Sequence, residues 1–180
     1  MSQLIYIVGA SGVGKDALMQ YARNRLNGSV PLVFAHRYIT RPVTEDGENH
    51  VALSPEEFLL RKDKGLFALD WESHGLYYGI GREIDGWMKV GLRVVVNGSR
   101  QYLPVARERY PDMIAILIEA DPEIIRRRLE NRGREKGADI ESRIKRQPVL
   151  ETDGLIRIAN NGGLEEGGDA LIGALKSFHS

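Results

Sequence analysis

Cysteine is absent from the 180 residues. This excludes disulfides and thiolate metal sites and fits a reducing, cytosolic setting without requiring one. Charge of one sign is not in excess either, because 25 lysines and arginines face 25 aspartates and glutamates. Nothing in that balance argues for nucleic acid or an anionic membrane as partner. Long apolar runs are missing, so no segment reads as a membrane span. The apolar stretch at residues 4–8 is too short for a signal h-region and lacks a basic region before it. The expectation is a soluble, cytoplasmic protein. Repeats, low-complexity tracts and an interdomain linker are also lacking, and the length suits one domain over residues 1–180.

What is present starts at the N-terminus. The apolar run Leu4-Ile5-Tyr6-Ile7-Val8 leads directly into Gly9-Ala10-Ser11-Gly12-Val13-Gly14-Lys15-Asp16. Leu18, Tyr21, Ala22 and Leu26 then mark one face of a helix. Strand, glycine turn with Gly-Lys, and helix form the phosphate-binding loop of nucleoside triphosphatases and kinases. The glycines let successive N–H groups point at a phosphate, the helix adds its positive end, and Lys15 adds a full charge. Position 16 departs from the pattern: Asp stands where a Ser or Thr hydroxyl would bind Mg²⁺.

Downstream, strands and helices alternate, which implies an α/β fold with a mainly parallel sheet covered on both faces. The first helix ends near Asn27-Gly28, and residues 32–35 read as a short strand. Residues 37–49 are polar, contain Pro42 and Gly47, and read as a loop. Ser54-Pro55-Glu56-Glu57 is a capping box opening a helix to about Gly65. Residues 66–71 and 76–80 read as paired strands, and Ile84, Trp87 and Met88 mark a helix closed by Gly91. Residues 93–97 and 113–119 are buried strands, and Asp121-Pro122 caps an arginine-rich helix to about Asn131. Residues 155–159 form the last strand, before a C-terminal helix through Leu171 and Leu175. Residues 36–82 read as an insertion and 132–140 as a flap.

Three further segments extend the pattern: Thr40-Arg41-Pro42 with Gly47-Glu48, Gly75-Leu76-Tyr77-Tyr78-Gly79, and Arg128-Leu129-Glu130-Asn131-Arg132-Gly133 with Arg143. With the phosphate loop, they resemble the guanylate kinase-like branch of nucleoside monophosphate kinases. The resemblance implies the three-layer P-loop NTPase fold, with an acceptor-binding insertion and an arginine-bearing lid. Where guanylate kinases hold the guanine edge with a serine and a glutamate, counting back from Arg41 and Tyr78 finds Arg37 and Leu69. Leucine accepts nothing and arginine only donates, so guanine loses its partners, whereas arginine suits a further phosphate. More narrowly, Gly14-Lys15-Asp16, residues 37–42, Gly47-Glu48-Asn49-His50, residues 75–79 and Val96-Asn97-Gly98-Ser99-Arg100 resemble the ribose 1,5-bisphosphate phosphokinases of phosphonate catabolism. That resemblance implies transfer of the ATP γ-phosphoryl to the 1-phosphate of ribose 1,5-bisphosphate, giving ADP and 5-phosphoribosyl 1-diphosphate.

Roles follow from the resemblance. Gly9, Ala10, Ser11, Gly12, Val13, Gly14 and Lys15 would cradle the ATP phosphates, and Asp16 would stand beside Mg²⁺. Arg132 and Arg143, then Arg128, would close on the transferring group, with Arg134 ranked lower. Arg37, Arg41 and Tyr78 would hold the acceptor, helped by His50 or Arg82, and Asn160-Asn161 falls where relatives pass the adenine. The role of Asn97 stays open. No general base is needed, since a phosphate with a second pKa of about 6 is already anionic. Arg126, Arg127, Arg128 and Arg132 cannot all face one ligand from a single helix. His36 and His74 read as structural or exposed, and Trp71 and Trp87 as packing anchors. Two other readings stay open: a different nucleotide kinase, including a guanylate kinase with an altered site, and a binding module without catalysis. A homodimer is also left open.

Overall fold

The structure, a computed structural model, describes residues 3–43, 48–133, 137–145 and 153–178. Gly47, Arg134 and the side chain of Arg143 lie outside the described residues. Strand β1 (Leu4–Gly9) runs through the phosphate loop into helix α1 (Lys15–Leu26), followed by β2 (Leu32–Phe34). Next come β3 (Arg37–Ile39), β4 (His50–Ala52), α2 (Pro55–Asp63), β5 (Phe67–Ser73) and β6 (Leu76–Gly81). The chain continues with α3 (Glu83–Lys89), β7 (Arg93–Asn97), α4 (Leu103–Arg109), β8 (Ile114–Glu119) and α5 (Pro122–Asn131). It closes with α6 (Gly137–Lys145), β9 (Leu155–Ala159) and α7 (Leu164–Ser177).

The larger sheet has the order β2-β7-β1-β8-β9, and every pairing in it is parallel. A parallel sheet needs apolar side chains on both faces because helices cover both, and β1 shows how its sequence meets that need. Ile5 and Ile7 join Leu18, Ala22, Ile125, Leu129 and Leu171 on one face. Leu4, Tyr6 and Val8 join Ile84, Leu103 and Ala106 on the other. The C-terminal ends of β1 and β7 therefore meet at one edge of the sheet, where α/β folds bind ligands.

Residues 36–82, the stretch read as inserted, carry a second sheet of order β4-β3-β6-β5. Helix α2 covers it through Phe58, which stacks on Phe67 at 4.5 Å and Tyr77 at 5.3 Å between ring centroids. Ser54 caps that helix, its hydroxyl accepting from the Glu57 N–H at 3.1 Å. His74 (φ 51°) and Gly75 (φ 76°) both lie in the left-handed region and close the β5–β6 hairpin. The two crossings to the larger sheet are tied together. His36 Nε2 lies 3.1 Å from Glu83 Oε1, and the Tyr38 hydroxyl donates to the same oxygen at 2.9 Å.

Four features differ from the sequence reading. Residues 37–49 contain strand β3, which pairs parallel with β4 and antiparallel with β6; neither three-residue strand is long enough to show a period. Helix α4 at Leu103–Arg109 was not marked. Asp121 stands at the start of α5 without a side-chain capping bond; instead, its N–H donates to Asn161 Oδ1 at 2.7 Å. The stretch read as a flap runs into α6 from Gly137 onward, and Ile140 is buried in the core.

Candidate active site

The phosphate loop depends on backbone that only glycine adopts freely. Gly14 has φ 83°, and a Cβ there would stand 2.7 Å from Asn160 Nδ2. Val13 anchors the loop from outside: its carbonyl accepts from Arg128 Nη1 at 3.1 Å and from Asn160 Nδ2 at 2.8 Å. Arg128 Nη2 also donates to the Asn160 carbonyl at 2.8 Å. Arg128 and the buried Asn160 side chain thus grip the loop's backbone. Gly9, Ala10, Ser11, Gly12, Gly14, Lys15, Asp16 and Arg132 line one solvent-open depression.

Next to the loop, β7 ends beside α1. Asn97 there is buried and bridges the two charged residues of the loop. Its Oδ1 accepts from Lys15 Nζ, and its Nδ2 donates to Asp16 Oδ1 at 2.8 Å. Lys15 Nζ also reaches the Gly98 carbonyl at 3.5 Å. The turn behind is held by Tyr6, whose hydroxyl accepts from the Ser99 N–H at 2.9 Å and donates to the Ser99 carbonyl at 3.0 Å. A Cβ on Gly98 would fall inside the Tyr6 ring. Residues 97–99 thus brace Lys15 and Asp16 from behind the loop.

Desolvation lowers the Lys15 ammonium to about 8; Asp16 and Glu48 oppose the shift, while Arg37 and Arg100 add to it. Desolvation alone would raise the Asp16 carboxyl. Lys15, Arg37 and the Asn97 hydrogen bond outweigh it and hold Asp16 below its ordinary value. Asp16 is therefore an ionised carboxylate on the phosphate loop, which suits a hard divalent cation that takes one or two carboxylates together with phosphate oxygens and water. Among the described residues, no group of three or more histidine, aspartate or glutamate side chains could hold a metal without a ligand's help. A pH dependence follows from Lys15. Its charged form is the one below about 8, so kcat/KM for the nucleotide should fall as pH rises past that value, and Lys15→Arg should remove the bend. A pH–rate profile of both proteins checks this.

The second sheet carries the acceptor candidates. Arg37 on β3 stands in register with His50 on β4. The Arg37 and Arg41 guanidiniums both donate to Glu48, and the His50 side chain is wholly buried, with Nδ1 3.9 Å from Glu48 Oε2. Arg37 lies over the Tyr78 ring at 5.2 Å, and Tyr78 stacks on Trp71 at 5.7 Å. Leu69 lies wholly inside the apolar core and offers no polar edge. Arg82 is exposed at the start of α3, where its charge acts on Tyr110.

The structure therefore brings Lys15, Asp16 and Arg132 together at the loop, and Arg37, Arg41, His50 and Tyr78 together on the second sheet. Arg126 is drawn away to Glu141 at 2.5 Å, tying α5 to α6. Sequence reasoning did not assign a role to Asn97 or Arg100 and took Glu48 only as part of a motif. The signal for Glu48 was the unmatched pair of arginines around it.

The chain is 56% identical over 177 residues to the ribose 1,5-bisphosphate phosphokinase PhnN of Desulfomicrobium baculatum, covering 97% of this chain and 95% of that protein. The family is thereby decided. This chain belongs to the ribose 1,5-bisphosphate phosphokinases. The proteins of that name from Thiobacillus denitrificans and Psychromonas ingrahamii are 52% and 47% identical, covering 94% and 97% of this chain and 90% of each relative. No protein-family model matches the chain. Among solved structures, guanylate kinase from Anaplasma phagocytophilum superposes with a TM-score of 0.68 at 20% identity, covering 98% of this chain and 85% of that one. A sugar kinase from Janibacter superposes with a TM-score of 0.54 at 18% identity, covering 98% and 95%. At such identities the likeness is one of fold: a guanylate kinase-like α/β architecture built on a mainly parallel sheet. No helix among the described residues is long and apolar enough to cross a membrane.

Proposed function

We propose that this protein transfers the γ-phosphoryl group of ATP to the 1-phosphate of ribose 1,5-bisphosphate, yielding ADP and 5-phosphoribosyl 1-diphosphate. The observation that carries this reading is the cluster of Arg37, Arg41 and His50, arginine-rich where a base-reading edge would be, with Leu69 buried in the core. The cluster is close enough for Arg37 and Glu48 to act on the charge of Lys15. The names of the relatives agree with it.

The nucleophile is a phosphate oxygen that is already anionic, so catalysis reduces to positioning and charge neutralisation. The loop N–H groups and Lys15 hold the β- and γ-phosphates, with Asn97 fixing Lys15 and Asp16 at the start of α1. Asp16 would hold Mg²⁺, directly or through water, and the ion would supply charge neutralisation at those phosphates. Arg37, Arg41 and Tyr78 orient the acceptor, and His50 supports it. Arg132 meets the charge that builds up on the transferring group, and Arg143 is assigned the same role. The lid is the stretch from residue 132 up to its buried anchor Ile140, and Arg128 acts through the loop it braces. Asn160 holds the loop end of the nucleotide site. Substrates are small molecules, the working place is the cytoplasm, and the 180 residues act as one kinase domain.

The test is ADP release from Mg²⁺-ATP with ribose 1,5-bisphosphate, GMP, AMP and ribose 5-phosphate as separate acceptors, products being identified by mass. Turnover confined to the bisphosphate, with 5-phosphoribosyl 1-diphosphate formed, is the expected result. Preference for GMP would return the protein to the nucleotide kinases, and no turnover with any acceptor would favour a binding module.

A further inference from the structure

Glu48 sits at the centre of the acceptor cluster, where an incoming phosphate has to bind. Its Oε1 accepts from Arg37 Nη2 and its Oε2 from Arg41 Nη2. That sharing leaves the buried Arg37 Nε and Arg41 Nε without a hydrogen-bond partner among the described residues. Nε and Nη2 of a guanidinium form one edge, suited to gripping an oxyanion with two parallel bonds. One carboxylate divided between two arginines engages one donor of each edge and leaves the other unmet. Buried donors left unmet are costly. A tetrahedral phosphate has the oxygens to satisfy both edges, and it brings more charge.

We propose that Glu48 is an internal stand-in for the acceptor's phosphate. It neutralises Arg37 and Arg41 while the site is empty and is displaced by a phosphate dianion. The inference rests on the reading above that these arginines bind the acceptor. It makes Glu48 a specificity-determining residue, because an acceptor must outcompete a carboxylate already in place. A neutral sugar or a weakly charged ester brings nothing that can do so, whereas a phosphate dianion fills every vacant donor. The Glu48 side chain keeps 15% of its surface open to solvent, so the displaced carboxylate has a path into water.

Inorganic phosphate is the probe, titrated calorimetrically into a Lys15→Ala background in which the phosphate loop lacks its cation. Adding Glu48→Gln should tighten phosphate binding about tenfold, and adding Arg37→Ala on top should abolish the gain. Glu48→Ala should change affinity in the same direction, which guards against a fault peculiar to glutamine. A Glu48 that merely braces the guanidiniums predicts weaker binding, so unchanged or weaker phosphate affinity in both variants overturns the proposal. In the enzyme with Lys15 intact, Glu48→Gln should lower the KM for ribose 1,5-bisphosphate while that for ATP stays put. A raised acceptor KM also overturns it. The calorimetry needs no turnover. Tighter phosphate binding in a protein that never phosphorylates the bisphosphate would sink the acceptor assignment and leave the displacement standing.

Discussion

Lys15→Ala should lower kcat/KM for phosphoryl transfer by about 10³-fold while the protein stays folded. The side chain is the full positive charge at the mouth of the phosphate loop, held there by Asn97 and the Gly98 carbonyl. In the proposed reaction it would meet the β- and γ-phosphates at the point where negative charge shifts during transfer. Removing it leaves the loop N–H groups and the α1 N-terminus to bind the nucleotide, which recovers part of the ground-state affinity but little of the transition-state stabilisation. Folding should survive because desolvation penalises the ammonium, lowering it to about 8, so its loss also removes a partly desolvated charge. Steady-state ADP release, nucleotide titration and a thermal melt check the three parts. A variant that keeps a tenth or more of its activity would mean that ATP binds elsewhere.

Replacing Arg37 and Arg41 together by alanine should lower kcat/KM for the acceptor by roughly 10³-fold, from two charge-assisted contacts of about 2 kcal/mol each. The effect should fall on the acceptor, leaving the KM for ATP near its starting value, since neither guanidinium lines the depression around the phosphate loop. The double variant also leaves Glu48 among buried groups without its arginine partners, and that carboxylate then repels a phosphate instead of making way for it. The readout is the KM of each substrate measured with the other saturating. Equal losses for both substrates would show a general collapse of the second sheet.

The phosphate loop, the buried strands β1, β7 and β8, the edge strand β9 and the capped helix α2 were legible in the chain because each is written in consecutive residues. Glycine spacing, an apolar run or a serine followed by proline acts over a few positions, and the physics that reads it is equally local. Strands β3 and β4 were not legible. Three residues each carry no period, and they become strands only because Arg37 pairs with His50 and Tyr38 with Gly79 across the fold. Helix α4 was missed although Leu103 and Ala106 are buried in the core. Among the arginines of α5, composition could say only that they cannot all face one ligand. It took the packed helices to send Arg126 to Glu141, Arg128 to the loop carbonyls and Arg132 to the depression.

By itself the sequence determined the chemical class of the site, because a cradle for phosphate needs glycines and a lysine adjacent along the chain. It also carried the family resemblance, through short motifs kept in order. Tertiary structure alone decided which side chains share a charge. Asn97 reaches Lys15 across 82 positions and Asp16 across 81, and Arg128 reaches Val13 across 115. The physical reason is that a hydrogen bond or an ion pair depends on distance in space. Distance along the chain says nothing of it until the strands have chosen their neighbours. Glu48 is the clearest case: in sequence it is one residue of a Gly-Glu-Asn-His run, and only the folded sheet sets it between two arginines.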